Sequence, residues 1–145
     1  MRIAIINGPN LNLLGRREVD IYGHEGFDDF LLGLKSRYPA IHIEYFQSNV
    51  EGELINEIQR TGTAFDGIII NPGGYTHTSV AIGDAIAAVQ APVVEVHISN
   101  IFAREEFRKT SHVSAKARGV ITGLGLKGYE LALDWIASGK SLPRQ

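Results

Sequence analysis

A chain of 145 residues with 44% apolar and 21% charged side chains can bury one hydrophobic core and has the make-up of a soluble globular protein. Its net charge of −2 argues against nucleic acid as the main partner, because phosphate binding calls for a basic surface. The absence of cysteine excludes a disulfide framework, a thiolate nucleophile and a Cys-ligated zinc, and it suits the cytoplasm. No segment approaches the ~18 apolar residues of a membrane span, and the opening apolar run, broken at Gly8-Pro9, is too short for a signal-peptide core.

The first strand is expected at 3–6 and runs into Asn7-Gly8-Pro9-Asn10. Residues 8–24 then form a long connection rich in Gly, Asn and Arg. A helix is expected over 27–37, where Phe27, Phe30, Leu31 and Leu34 recur at three- and four-residue spacing. A strand at 41–46 precedes a second helix over 51–61, with Leu54, Ile55 and Ile58 on one face and Glu51 and Glu53 favouring its start. The strand 67–70 ends on Asn71-Pro72-Gly73-Gly74-Tyr75-Thr76-His77. An Ala-rich helix over 78–90 stops before Pro92, and the next strand, 93–98, carries Glu95 and His97. Residues 99–117 make a second long connection holding Arg104, Arg108, Ser111 and His112. Connections of this length are often binding loops or lids. A strand at 119–122 and a helix over 128–138, with Leu131, Leu133, Trp135 and Ile136, complete the series.

Strands apolar on both faces that alternate with helices indicate a parallel sheet covered on both sides. The five strands predict an α/β, flavodoxin-like three-layer sandwich with sheet order 2-1-3-4-5, and without repeats or a linker residues 1–145 read as a single domain. Parallel strands deliver their C-terminal ends to one edge, where ligands bind, so Asn10, Asn71, His77 and His97 should converge there.

Several motifs point elsewhere and fail on their context. Gly123-Leu124-Gly125-Leu126-Lys127-Gly128 matches G-x-G-x-x-G, but no strand with an acidic residue about 20 positions on follows within the 145 residues. Its glycines are expected to serve a tight turn and close helix packing. Of the histidines 24, 42, 77, 97 and 112, no pair has the i, i+4 spacing of a zinc helix, and strand alternation is expected to turn Glu95 away from its neighbour's face. No metal site is expected. Ser79 and Ser99 lie near histidines, but no G-x-S-x-G elbow exists. What remains is acid–base chemistry on a small molecule without a cofactor, with His77, His97, Tyr22, Tyr75 and a set of arginines that suit an anionic substrate such as a carboxylate.

Asn7-Gly8-Pro9-Asn10-Leu11-Asn12-Leu13-Leu14-Gly15 with Arg17-Glu18 and Tyr22-Gly23 resembles the opening signature of the type II 3-dehydroquinate dehydratases. Asn71-Pro72-Gly73 with Tyr75-Thr76-His77-Thr78-Ser79, then Glu95-Val96-His97-Ile98-Ser99-Asn100 with Arg104 to Arg108, are similar to the family's later blocks. Gly119-Val120-Ile121, Gly123, Gly125 and Gly128-Tyr129 fit its C-terminal strand and helix.

The resemblance implies dehydration of 3-dehydroquinate to 3-dehydroshikimate by anti elimination through an enolate, in the shikimate pathway or in quinate breakdown, without a cofactor. It implies Tyr22 as general base, with Arg17 lowering its pKa, and Arg16 as a surface charge. It implies His97 as general acid steadied by Glu95, and Asn10 as holder of a water against the enolate oxygen. Asn71, His77, Ile98, Ser99 and Arg108 match substrate-binding positions, Arg104 a loop arginine near the lid, and Asp84 a position that reaches a neighbouring subunit's site. The implied assembly is a dodecamer, a tetramer of trimers. Val19 departs from a usual proline, Gly74 from a usual alanine, and Gly83 from an arginine that usually precedes Asp84. The competing reading, a flavodoxin-like module holding FMN, needs a phosphate-cradling loop after the first strand, where Pro9 removes a backbone donor.

Overall fold

The computed structural model describes residues 1–16, 20 and 26–139. Its centre is a five-stranded parallel sheet, β1 (Arg2–Asn7), β2 (His42–Gln47), β3 (Gly67–Asn71), β4 (Val93–His97) and β5 (Gly119–Thr122), in the order β2-β1-β3-β4-β5. That is the expected flavodoxin-like order. Among the described residues the helices are α1 (Phe27–Arg37), α2 (Glu51–Ala64), α3 (Val80–Ala88) and α4 (Lys127–Ala137).

Strand alternation divides the core in two. Ile3, Ile5, Ile69, Val94 and Val96 face α1 and α4, where they bury Phe30, Leu34, Tyr129 and Leu133. Ala4, Ile6, Ile68, Ile70 and Val93 face α2 and α3, burying Leu54, Ile58, Ile82 and Ile86. The central strands are thus apolar on both faces, as a sheet between two helical layers requires. No described helix is long and apolar enough to cross a membrane.

Helix ends differ from the sequence reading in several places: α3 stops at Ala88 and α4 runs one residue earlier than expected at each end, and two differences have a clear cause. α2 continues a further turn to Ala64, because Gly62 lets it pack directly on Val89: a Cβ at Gly62 would lie 2.3 Å from Val89 Cγ1. α3 begins only at Val80, because the Ser79 hydroxyl accepts the Ile82 N–H at 3.0 Å and caps the helix there. In the G-x-G-x-x-G segment, Gly123 and Gly125 take φ of 86° and 61°, and a Cβ on Gly128 would lie 3.1 Å from Val96 Cγ1. The turn-and-packing reading holds.

The functional edge is set where β1 and β3 end side by side. Asn7 is in register with Asn71, and the Gly8 N–H donates to the Asn71 carbonyl at 2.8 Å. The loops after the two strands touch at Gly8, where a Cβ would come within 2.6 Å of the Pro72 carbonyl oxygen. Gly8→Ala must therefore move backbone and is expected to cost about 1–3 kcal/mol. Gly52→Ala, in α2 with nothing within 4 Å of the new methyl, should instead gain about 0.5–1 kcal/mol. Urea-denaturation midpoints for the two variants should move in opposite directions.

Candidate active site

A cleft of about 190 Å³ opens at the C-terminal ends of β1, β3 and β4. Asn10, Asn71, His77, His97, Ile98 and Ser99 line it together with Arg104 and Arg108. Asn10 follows β1 in the left-handed conformation, φ 70°, which asparagine tolerates better than most residues, and its N–H donates to Asn49 Oδ1 at 3.0 Å. Leu13, Leu14 and Ile101 supply apolar wall. Pro9 also lines the cleft, at the place where a phosphate cradle would need a backbone donor.

Glu95 and His97 are two apart on β4 and so share a face. Alternation separates each from Val96 but brings the pair together, which corrects the expectation that Glu95 turns away. His97 Nε2 lies 2.6 Å from Glu95 Oε1, with both side chains buried. Thr76 donates to Glu95 Oε1 at 2.5 Å and Ser114 to Oε2 at 2.5 Å. Burial alone would push the Glu95 carboxyl up, but hydrogen bonding and charge from His97, with the Ser114 and Thr76 hydroxyls, outweigh it and hold the carboxyl below its ordinary value. Facing a carboxylate, His97 Nε2 carries a proton. Nδ1 is then the ring nitrogen left for a ligand.

His77 is set by the opposite kind of partner. Its Nδ1 lies 2.7 Å from the Thr110 carbonyl, so Nδ1 carries the proton and Nε2 is free to accept. Burial pushes its pKa down; the Thr110 carbonyl opposes this, and the positive charges of His97 and Arg108 add to it. His77 is therefore neutral at neutral pH. Its ring meets Phe107 edge-on at 5.8 Å, and Phe107 in turn lies 4.9 Å under the Arg108 guanidinium.

The arginines sit in a charged rim. Arg108 Nε donates to Glu105 at 2.5 Å, and Arg104 Nη1 donates to Ser99 Oγ at 3.3 Å. Both are mostly shielded, with 20% and 21% of their side chains exposed. A guanidinium held this way at a cleft mouth favours an anion inside it.

A family model described as dehydroquinase class II matches residues 1–137. The chain belongs to that family. It is 56% identical to a 3-dehydroquinate dehydratase of Fusobacterium nucleatum over 94% of this chain and 96% of the relative. The type II dehydroquinase structure from Propionibacterium acnes superposes with a TM-score of 0.90 at 46% identity, covering 94% of this chain and 96% of that one. The type II dehydroquinase structure from Butyrivibrio crossotus gives 0.91 at 47% identity over 94% and 97%.

Some expected site residues lie outside the described residues, and others do not line the cleft. Tyr22 and Arg17, with His24 and Val19, lie outside the described residues. Asp84 is exposed on α3 and does not line the cleft of its own chain. Tyr75 spends its hydroxyl on the Asn49 carbonyl at 2.8 Å. His42 bonds Glu44 at 3.1 Å on the exposed side of β2, and His112 is exposed.

Other residues matter that sequence reasoning passed over. The segment 110–114 straps three of them in place: Thr110 holds His77, Ser111 bonds Thr76 at 2.6 Å, and Ser114 holds Glu95. The strap lies hard on α3, where a Cβ on Gly83 would come 2.3 Å from the His112 carbonyl oxygen. Behind Asn71, Asn7 and Tyr129 form a buried polar chain. The quoted motif blocks contain Thr76, Asn7 and Tyr129, but only as neighbours of more conspicuous residues.

Because the folded-state pKa of Glu95 is depressed, its carboxylate stabilises the fold above the unfolded value and loses that effect as pH falls through the folded value. Glu95→Gln is expected to lower stability by about 1–3 kcal/mol at neutral pH, since the amide cannot accept all three bonds. In urea-denaturation series the gap between the two proteins should narrow as pH drops below the ordinary carboxylate value of 4.5. A gap that stays constant with pH would mean that folding leaves the Glu95 pKa unchanged, and one that widens as pH falls would mean that its carboxyl is protonated in the folded protein.

Proposed function

We propose that this chain catalyses the dehydration of 3-dehydroquinate to 3-dehydroshikimate, a hydro-lyase reaction of the shikimate pathway, as a single catalytic domain of 145 residues. The observation that carries this reading is the buried Glu95–His97 pair at the wall of a cleft with an arginine rim, in a chain whose 56% identical relative is named 3-dehydroquinate dehydratase. The reaction needs one base, one acid and a holder for transient negative charge.

In the proposed scheme Tyr22, as tyrosinate, removes the proton from the carbon next to the ketone, and the electron pair moves onto the carbonyl oxygen as an enolate. Free tyrosine titrates near ~10, so a working base needs a neighbouring positive charge, the role assigned to Arg17. A water held by Asn10 donates to the enolate oxygen, and fixed donors at a developing charge are often the largest catalytic contribution. The enolate then collapses, the C–O bond to the leaving hydroxyl breaks, and His97 gives it the Nδ1 proton, releasing water. Glu95 supports this by fixing the ring and stabilising the protonated imidazole. Departure on the face opposite the abstracted proton makes the elimination anti. No metal or organic cofactor enters the scheme.

Asn71, His77 and Arg108 hold the substrate hydroxyls in this reading, and the Ile98–Ser99 backbone takes its carboxylate, with Arg104 beside the Ser99 hydroxyl. We take the working form to be a cytoplasmic dodecamer of four trimers. The exposed position of Asp84, away from its own cleft, is compatible with service in a neighbouring subunit.

Adding 3-dehydroquinate to the purified protein should produce growing ultraviolet absorbance, because the product is a conjugated enone. Tyr22→Phe and His97→Ala should each keep the fold and lower turnover by ~10²–10⁴. Arg17→Ala should move the basic-group pKa of the pH–rate profile upward. Near-normal turnover in Tyr22→Phe would reject the assignment.

The free-enolate route also makes a negative prediction. None of the described lysines lines the cleft, and Lys109 is paired with Glu106 at 2.8 Å. Borohydride added during turnover should neither inactivate the protein nor add substrate mass to a lysine, as a Schiff base would. An adduct forming in step with lost activity would overturn the mechanism.

A further inference from the structure

Asn71 closes β3 at the cleft, and two neighbours decide which way round its amide sits. The Gly73 N–H lies 3.1 Å from one amide atom, and a backbone N–H only donates, so that atom is Oδ1. The other, Nδ2, lies 2.9 Å from the Tyr129 hydroxyl. The same hydroxyl is 2.8 Å from Asn7 Oδ1. A phenol has one proton. Given to Asn7, it leaves an oxygen lone pair turned to Asn71 Nδ2, so the three side chains form one directed chain from β3 through α4 to β1.

Nothing in this chain can turn without cost. Tyr129 and Asn7 are fully buried and Asn71 is 3% exposed. Burial pushes the Tyr129 phenol up in pKa, so it stays a neutral donor at any pH the protein meets. The ring is wedged edge-on against Phe27 at 5.0 Å and tilted against Phe30 at 5.9 Å. With its Oδ1 taken by Tyr129, Asn7 turns Nδ2 to the Tyr45 hydroxyl at 3.5 Å.

We propose that Tyr129 is a positioning residue: its hydroxyl, aimed by Asn7, locks the Asn71 amide so that Nδ2 keeps one N–H over for a ligand in the cleft. Apolar spacing alone does not single it out, since Tyr129 sits within α4 away from the loops that line the cleft. The kinetic consequence rests on the reading of the cleft as the 3-dehydroquinate site; the lock itself does not.

Two measurements test it. In protein labelled with ¹⁵N in asparagine side chains, the NH₂ signal that disappears in Asn71→Ala should exchange with solvent at least about tenfold more slowly than that of exposed Asn49. Equal exchange would overturn the lock, whatever the protein turns over. For turnover, Tyr129→Phe should lower kcat/KM for 3-dehydroquinate about tenfold, mainly through KM, as expected for one lost hydrogen bond. In an Asn71→Ala background the same substitution should change kcat/KM by less than about twofold. Equal losses in both backgrounds would make Tyr129 a packing residue and overturn the proposal. Should Tyr129→Phe not fold, Asn7→Ala is read in the same two backgrounds against the same criterion. A protected Asn71 amide in a wild-type protein that leaves 3-dehydroquinate unchanged would reject the substrate and keep the lock.

Discussion

A carboxylate with no exposed surface sits at the edge of the core, and much of the site follows from the need to compensate it. Taking such a charge out of water costs several kcal/mol unless its lone pairs are met. Glu95 is met by three donors from different parts of the chain: His97 on its own strand, Thr76 in the turn after β3, and Ser114 in the strap over α3. Satisfying one charge therefore fixes one imidazole, one turn and one loop relative to each other. The cleft is rigid on this side because its parts share an acceptor.

The two cleft histidines show how partner chemistry sets function. Each has one ring nitrogen tied down, but the partners differ. His97 is held at Nε2 by the Glu95 carboxylate, whereas a carbonyl behind His77, with burial and nearby positive charge, keeps that ring neutral. The same residue type thus has Nε2 tied down at one wall and Nδ1 at the other. Neutral His77 also leaves the positive charge of the rim to Arg104 and Arg108, which share Glu105 as their acidic partner.

The fold was legible because its strands are written in β-branched runs and its helices in three- and four-residue apolar spacing, signals that buried layers impose directly. The error at the end of α2 came from a tertiary contact, the Gly62–Val89 approach, and that at the start of α3 from a local one, the Ser79 cap, which apolar spacing alone does not encode. In the site, Asn71, His77 and His97 could be found as polar residues at strand ends. Thr76, Ser114, Asn7 and Tyr129 stood out less, because hydroxyls and amides are common and their importance lies in what they bond. The Glu95 orientation was misread by applying alternation to the adjacent residue when the partner lay two positions on.

Gly83 couples α3 to the loop laid over it. With no side chain there, the His112 carbonyl rests where a Cβ would be, and the strap that holds His77, Thr76 and Glu95 follows α3 at backbone distance. A relative with an arginine at this position needs another path for its strap. Position 83 and segment 110–116 are therefore one unit of exchange. A chimera that crosses over between them would join a helix and a strap shaped for different partners, while one that carries both across would leave the Glu95–His97 pair and its donors undisturbed.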